Sequence, residues 1–155
     1  MRYDWTIALS LAAAIFAAAP AAADAPVGVG MSLGFPSPIQ MFAGGDPEPA
    51  RTQDVTAEYL LTSLTNETIT LKGDNDCAAH TWTVTDAAGT VVDQSAACPT
   101  GGQPVSVPVP QGKPVDEQRT VSLRVFAYQE GQTYTIHYKA YGVEGTANFT
   151  VTLLK

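Results

Sequence analysis

A chain of 155 residues has room for one ordinary domain and not for two. Its 15 acidic against 8 basic side chains give a net charge of −7, which excludes a surface built to hold nucleic acid or an anionic membrane. Two cysteines are too few for a disulfide-dense scaffold, so a hydrophobic core has to carry the fold.

Residues 1–23 read as an export signal. Arg2 and the free amine make a weakly positive start. Thr6 to Ala19 is an apolar run dominated by Ala, Leu and Ile, and Ala21-Ala22-Ala23 supplies a small-x-small cleavage site before Asp24. Cleavage after Ala19 would leave Pro20 as the first residue of the product. The run is short, rich in weakly apolar Ala and broken by Pro20, so it makes a poor permanent membrane span. No Cys follows the cleavage site to take a lipid. The expected product begins at Asp24, is periplasmic or secreted, and has no membrane contact after cleavage. Arg2 and Asp4 leave together, so the charge balance persists. In an oxidising compartment Cys77 and Cys98 are expected to pair as a disulfide rather than stand as reactive thiols or a metal pair.

Residues 24–53 form a Gly/Pro-rich segment that differs in texture from the domain at 54–155. Glycines and prolines alternate with Met31, Leu33, Phe35, Ile39, Met41 and Phe42, which rules out a helix. The segment reads as a first strand near Val27–Phe35 followed by a loop laid over the core. The alternative is an apolar arm that docks on a partner.

From Asp54 the pattern is of strands. Val55–Leu64 is rich in β-branched and apolar residues, Asn66-Glu67 turns the chain, and Thr68–Leu71 resumes. Gly73-Asp74-Asn75-Asp76 is a second turn. His80–Asp86 alternates, Asp86-Ala87-Ala88-Gly89 makes a hairpin turn, and Thr90–Ala96 returns. Cys77 and Cys98 lie equally far from the centre of that turn, so a tight hairpin sets them opposite each other at its base. Val105–Val109, flanked and interrupted by Pro104 and Pro108, can only be an edge strand. Thr120–Tyr128 puts Val121, Leu123, Val125 and Ala127 on one face and Ser122, Arg124, Phe126 and Tyr128 on the other. Gly142-Val143-Glu144-Gly145 reads as a four-residue loop between Thr133–Tyr141 and Thr146–Leu154, pairing Tyr138 with Phe149, Ile136 with Val151, and Tyr134 with Leu153. Seven to nine short strands and no amphipathic helix predict an all-β fold, an immunoglobulin-like antiparallel β-sandwich, with a small barrel as the alternative.

Three stretches resemble the BsuPI-type intracellular proteinase inhibitor family. They are Leu64-Thr65-Asn66-Glu67-Thr68, the hairpin Trp82 to Val92 with its Asp86-Ala87-Ala88-Gly89 turn, and Gly131-Gln132-Thr133-Tyr134-Thr135-Ile136. The resemblance extends over about two-thirds of the chain and implies an immunoglobulin-like fold and a proteinase-inhibitor-like activity. The family's tryptophan-rich segment after the hairpin is replaced by Asp93-Gln94-Ser95-Ala96-Ala97-Cys98, so no inhibitory residue carries over.

Catalytic chemistry needs a nucleophile, a base and an orienting group within reach of one another. The two histidines, His80 beside the hairpin base and His137 opposite in phase to Ile136, read as surface residues of strands, and no Gly-x-Ser-x-Gly occurs. Asp74-Asn75-Asp76 lacks the glycine and the distant Glu of a calcium loop. Met31 and Met41 with a histidine could hold copper but read as packing residues. Asn66-Glu67-Thr68 and Asn148-Phe149-Thr150 fit the glycosylation pattern and read as turn and strand chemistry. No cofactor, metal or catalytic residue is expected.

The expected function is a non-enzymatic binding module whose partner is another exported protein, a protease or an assembly partner. The alternative is a structural component that joins other chains by β-strand addition. Phe35, Phe42, Phe126 and Tyr128 form the candidate partner surface, because aromatic residues on a solvent face need a cover. The same four could instead cover one another as core.

Overall fold

Alternation carries the fold. The computed structural model describes residues 26–44 and 51–154. The export signal and its cleavage site before Asp24 lie outside these residues. In β3 (Thr52–Ser63), Val55, Ala57, Tyr59 and Leu61 are buried while the residues between them face solvent. The same two-residue period runs through β9 (Thr133–Ala140), where Tyr134, Ile136, Tyr138 and Ala140 are buried. Ten strands result among the described residues.

One sheet has the order β1-β3-β8, with β1 at Val29–Gly34 and β8 at Val115–Arg124. The other has the order β2-β10-β9-β5-β6, with β2 at Ile39–Phe42, β5 at His80–Thr85, β6 at Val91–Gln94 and β10 at Val143–Leu154. A two-stranded ribbon of β4 (Ile69–Gly73) and β7 (Val105–Val109) completes the set. The buried faces of the two larger sheets enclose a single core. The chain is an all-β sandwich of immunoglobulin-like architecture. Trp82 is buried on β5, and Tyr134, near the start of β9, takes a hydrogen bond at 2.8 Å from the Gln129 amide five residues upstream, the corner device of such sandwiches. Tyr59 of β3 and Tyr138 of β9 bridge the sheets with ring centroids 5.5 Å apart.

Several expectations need correction. The Gly/Pro-rich segment contributes two strands, not one strand and a loop. β1 is antiparallel to β3, then the chain crosses to the other sheet and β2 runs parallel to β10, the one parallel pairing among the described residues. Proline and glycine at the crossover break the strand, but Ile39 and Met41 keep the inward period and resume it. The β9–β10 hairpin turns at Tyr141-Gly142. Both residues have positive φ (52° and 82°), which closes a two-residue loop and pairs Gly145 with Tyr138 and Phe149 with Tyr134, four places from the expected register. A four-place slip preserves the face of every side chain, which is why the alternation alone did not expose it. Gly145 also has a packing reason, since a Cβ there would stand 2.7 Å from the Met31 sulfur of β1. β8 begins earlier than Thr120 and stops at Arg124, because a 3-10 turn over Val125–Ala127 ends the strand.

Cys77 and Cys98 form the disulfide, with Cα atoms 5.7 Å apart. They do not face each other on strands. Cys77 lies on a single helical turn, α1 (Asp76–Ala79), capped by the Asn75 side chain on the Ala78 amide at 2.8 Å, and Cys98 lies in the loop after β6. The β5–β6 hairpin carries a bulge at Val84/Thr85, and the Asp86 carboxylate accepts from the amides of Ala88 and Thr90 at 2.9 Å each.

Candidate functional site

The structure separates the four aromatic residues of the expected partner surface into two pairs. Phe35 leans on Phe149 (centroids 5.2 Å), and Tyr128 meets Tyr134 at 5.0 Å and Phe149 at 5.9 Å, so Phe35 and Tyr128 belong to one core aromatic group. The 3-10 turn is the cause for Tyr128. It breaks the strand period after Arg124 and carries the tyrosine inward, where alternation would have left it outside.

Tyr128 is held there by Asp93, a carboxylate only 1% exposed. Asp93 accepts from the Tyr128 hydroxyl at 2.9 Å, the Gln94 amide at 2.9 Å, the Arg124 amide at 2.8 Å and Arg124 Nε at 2.7 Å. Arg124 also reaches the Val92 carbonyl at 3.0 Å. These bonds join β6, the edge of one sheet, to the end of β8, the edge of the other. Burial, with the Asp93 charge beside it, pushes the Tyr128 phenol far above its usual ionisation range. Asp93 played no part in the sequence expectations. Its signal was a lone carboxylate between Val91-Val92 and Gln94, and it is the one buried position of β6.

Phe42 and Phe126 remain outside, 57% and 39% exposed. Backbone bonds place both at the same end of the sandwich. Phe42 pairs with Leu154 at the close of β10, and the Ala43 amide donates to the Leu154 carbonyl at 2.8 Å. The Val125 amide donates to the Arg51 carbonyl at 2.9 Å, and Arg51 Nη1 donates to the Gly44 carbonyl at 2.7 Å. The end of β2, the entry to β3 and the Phe126 turn are thus tied together. Leu153 and Leu154 are half-buried at this end. The result is an apolar, aromatic-tipped end face mounted on hydrogen-bonded elements.

The histidines differ from each other. His137 is on the outer face, with Nδ1 3.2 Å from Glu144, and Lys139 lies 3.4 Å from the same carboxylate, a surface group of modest energetic weight. His80 is not a surface residue. Its side chain is 8% exposed and lies between the sheets, with Nδ1 3.5 Å from the Tyr59 hydroxyl and 3.4 Å from the Tyr138 hydroxyl. Tyr59 donates to Glu117 at 2.7 Å, and Arg119 spans Asp76 (3.2 Å) and Glu117 (3.4 Å). Burial lowers the His80 pKa, with the Arg119 charge adding to it, and burial raises Tyr138 to about 12. His80 alternates in phase with buried Trp82 and Val84, a signal that the adjoining turn obscured. Among the described residues no Ser, Thr or Cys side chain is hydrogen-bonded to either imidazole, and no group of three or more His, Cys, Asp or Glu gathers as a metal cluster.

No family model matches the chain, and no curated protein matches it. Among solved structures, a β-glucuronidase of glycoside hydrolase family 2 aligns with 77% of this chain and 10% of its own length, at 13% identity and a TM-score of 0.41. A putative β-galactosidase from Bacteroides fragilis aligns with 77% of this chain and 15% of its own, at 12% identity and a TM-score of 0.39. The chain spans a small fraction of those proteins, and their activities stay with them.

Proposed function

We propose that the chain is an exported, non-enzymatic binding module that engages another exported protein through the end of the sandwich carrying Phe42 and Phe126. The observation that carries this reading is the division of the aromatic residues. Phe35, Tyr128, Tyr134 and Phe149 are spent on the core, whereas Phe42 and Phe126 stand in solvent at one end. Rigidly mounted exposed aromatics are the usual anchors of protein interfaces. The disulfide indicates an oxidising environment, and the residue pattern of 1–23 points to export into the periplasm or the medium. A proteinase is one partner class that the sequence resemblance favours.

Phe126→Ser tests the reading directly. The substitution removes an exposed ring, so the melting temperature should stay within a few degrees of the parent while capture of a partner from periplasmic extract is lost. Retained capture with unchanged stability would remove this face from consideration.

The alternative, assembly by strand addition, is supported by one feature. β8 is a ten-residue strand at the edge of its sheet, long for an edge. Its exposed positions carry Asp116, Gln118, Thr120, Ser122 and Arg124, a polar guard against such pairing. Strand addition predicts concentration-dependent oligomers in sedimentation, and the binding module predicts a monomer.

A further inference from the structure

The crossover from β1 to β2 leaves the first half of β3 bare on one side. β8 pairs with Thr52–Leu61, whereas β1 pairs only with Glu58–Ser63. Two bonds at the ends of β3 fix which backbone groups face the gap. The Leu64 amide donates to the Gly28 carbonyl at 2.8 Å, and the Val125 amide donates to the Arg51 carbonyl at 2.9 Å. Successive residues of a strand turn their ladder groups to opposite sides, so even-numbered residues address the β1 side and odd-numbered ones address β8. Thr52, Asp54 and Thr56 therefore turn their amides and carbonyls into the gap, and among the described residues no strand pairs with them there. A cavity of about 770 Å³ lies beside this edge, lined by Phe35, Pro36, Pro38, Ile39 and Val55. Gln53 Nε2 donates to the Gln40 carbonyl at 2.8 Å and ties β3 to β2 across it. One wall thus carries free ladder groups, and the floor is apolar, as an added strand requires.

We propose that this slot takes an extended, lysine- or arginine-bearing segment of a partner protein, which adds to β3 as a strand in the row that β1 begins. The charge of the rim selects the occupant. Asp54 and Glu58 are exposed on the outer face beside the gap, and their donors are neutral, Ser122 Oγ at 2.6 Å and Gln118 Nε2 at 2.9 Å. A guest side chain opposite Asp54 faces that carboxylate directly, and one opposite Thr56 lies diagonal to both acids. Alternate guest residues point inward and rest on Phe35, Ile39 and Val55. The net charge of −7 draws a basic segment toward the edge. It disfavours a second copy, which would bring its own Asp54 and Glu58 to the same place. The slot is a different surface from the end face of Phe42 and Phe126 and stands or falls apart from it.

The test titrates two capped octapeptides, alternating valine–lysine and alternating valine–glutamate, into the oxidised chain from Asp24 and follows the backbone amides by NMR. The lysine peptide should shift the amides of Thr52, Asp54 and Thr56 and slow hydrogen exchange at Asp54 and Thr56 by about tenfold or more at saturation. The glutamate peptide should do neither. Asp54→Asn with Glu58→Gln should weaken binding several-fold, since both acids lie on the exposed face. Thr56→Pro removes a donor that faces the slot and none that faces β8, so it should abolish the protection. The double acid variant decides the matter if Thr56→Pro fails to fold. Shifts spread over the acidic surface without protection of these amides, equal binding of the two peptides, or dimerisation through this edge in sedimentation overturns the slot.

Discussion

Asp93 is the only charged side chain buried among the described residues, and its position explains why the core accepts it. Four donors converge on it from β6, β8 and the segment after the 3-10 turn, so its desolvation is offset by charge-assisted bonds. Asp93→Asn keeps the shape but turns one oxygen into a donor facing donors. It should lower stability by about 3 kcal/mol in denaturant unfolding. Arg124→Ala should cost about 1 kcal/mol or less, because the guanidinium is half exposed and the Arg124 amide survives. Equal losses for the two would mean that the ion pair, and not the buried carboxylate, holds the seam. The tyrosines make a second claim at this scale. Tyr59, Tyr128 and Tyr138 all have phenols raised by burial, Tyr138 to about 12 from its usual 10. A raised pKa means stability that is complete below pH 10 and lost as pH climbs from 10 toward 12, since ionisation is easier in the unfolded chain. Alkaline titration should therefore show these tyrosines ionising together with the loss of tertiary signal. Independent ionisation near pH 10 with the fold intact would contradict their burial.

Between residue and molecule stand the elements, and here the sequence was uneven. Strand existence was legible in β3 from its β-branched and apolar content, and in β5, β8, β9 and β10 from alternation, where the buried face followed from the period. Register was not legible, because it depends on which residues take positive φ. Tyr141 does so at the β9–β10 turn, and a tyrosine gives no turn signal. Its ring is buried and its amide donates to the Ala79 carbonyl at 2.7 Å, so tertiary contacts select the turn. The end of β8 was missed for a related reason, since no Gly or Pro marks the turn at Val125–Ala127. The cysteine pairing was legible from compartment and symmetry, although its setting on α1 was not. With the partners 21 positions apart in sequence, the link should contribute about 3 kcal/mol. Cys77→Ser should lower stability by about 2–4 kcal/mol, and thiol labelling of the unreduced parent should find no free sulfhydryl.

At the scale of the whole molecule, the open question is where the domain begins. Composition drew a line at Asp54, because glycine and proline dominate before it and alternation after it. The sheets are built across that line. β1 covers the upper half of β3 from Ser63 to Glu58, and β2 covers the far end of β10 from Val151 to Leu154. Val29, Ile39 and Met41 are buried in the common core, and Phe35 rests on Phe149. Removing three buried apolar side chains and half of another forfeits about 6–8 kcal/mol of burial, at roughly 2 kcal/mol each, comparable to the whole stability of an ordinary domain. It also bares edges of β3 and β10, which invites aggregation. A chain beginning at Arg51 should therefore fail to give a cooperative melt or dispersed amide resonances, whereas one beginning at Asp24 should give both. The control separates folding from binding. Phe42→Ser in the longer chain removes only an exposed ring of the same segment and should leave the melt unchanged while weakening partner capture. If the chain from Arg51 folds cooperatively, the segment before it is an appendage, and the end face loses the support that β2 provides to Phe42.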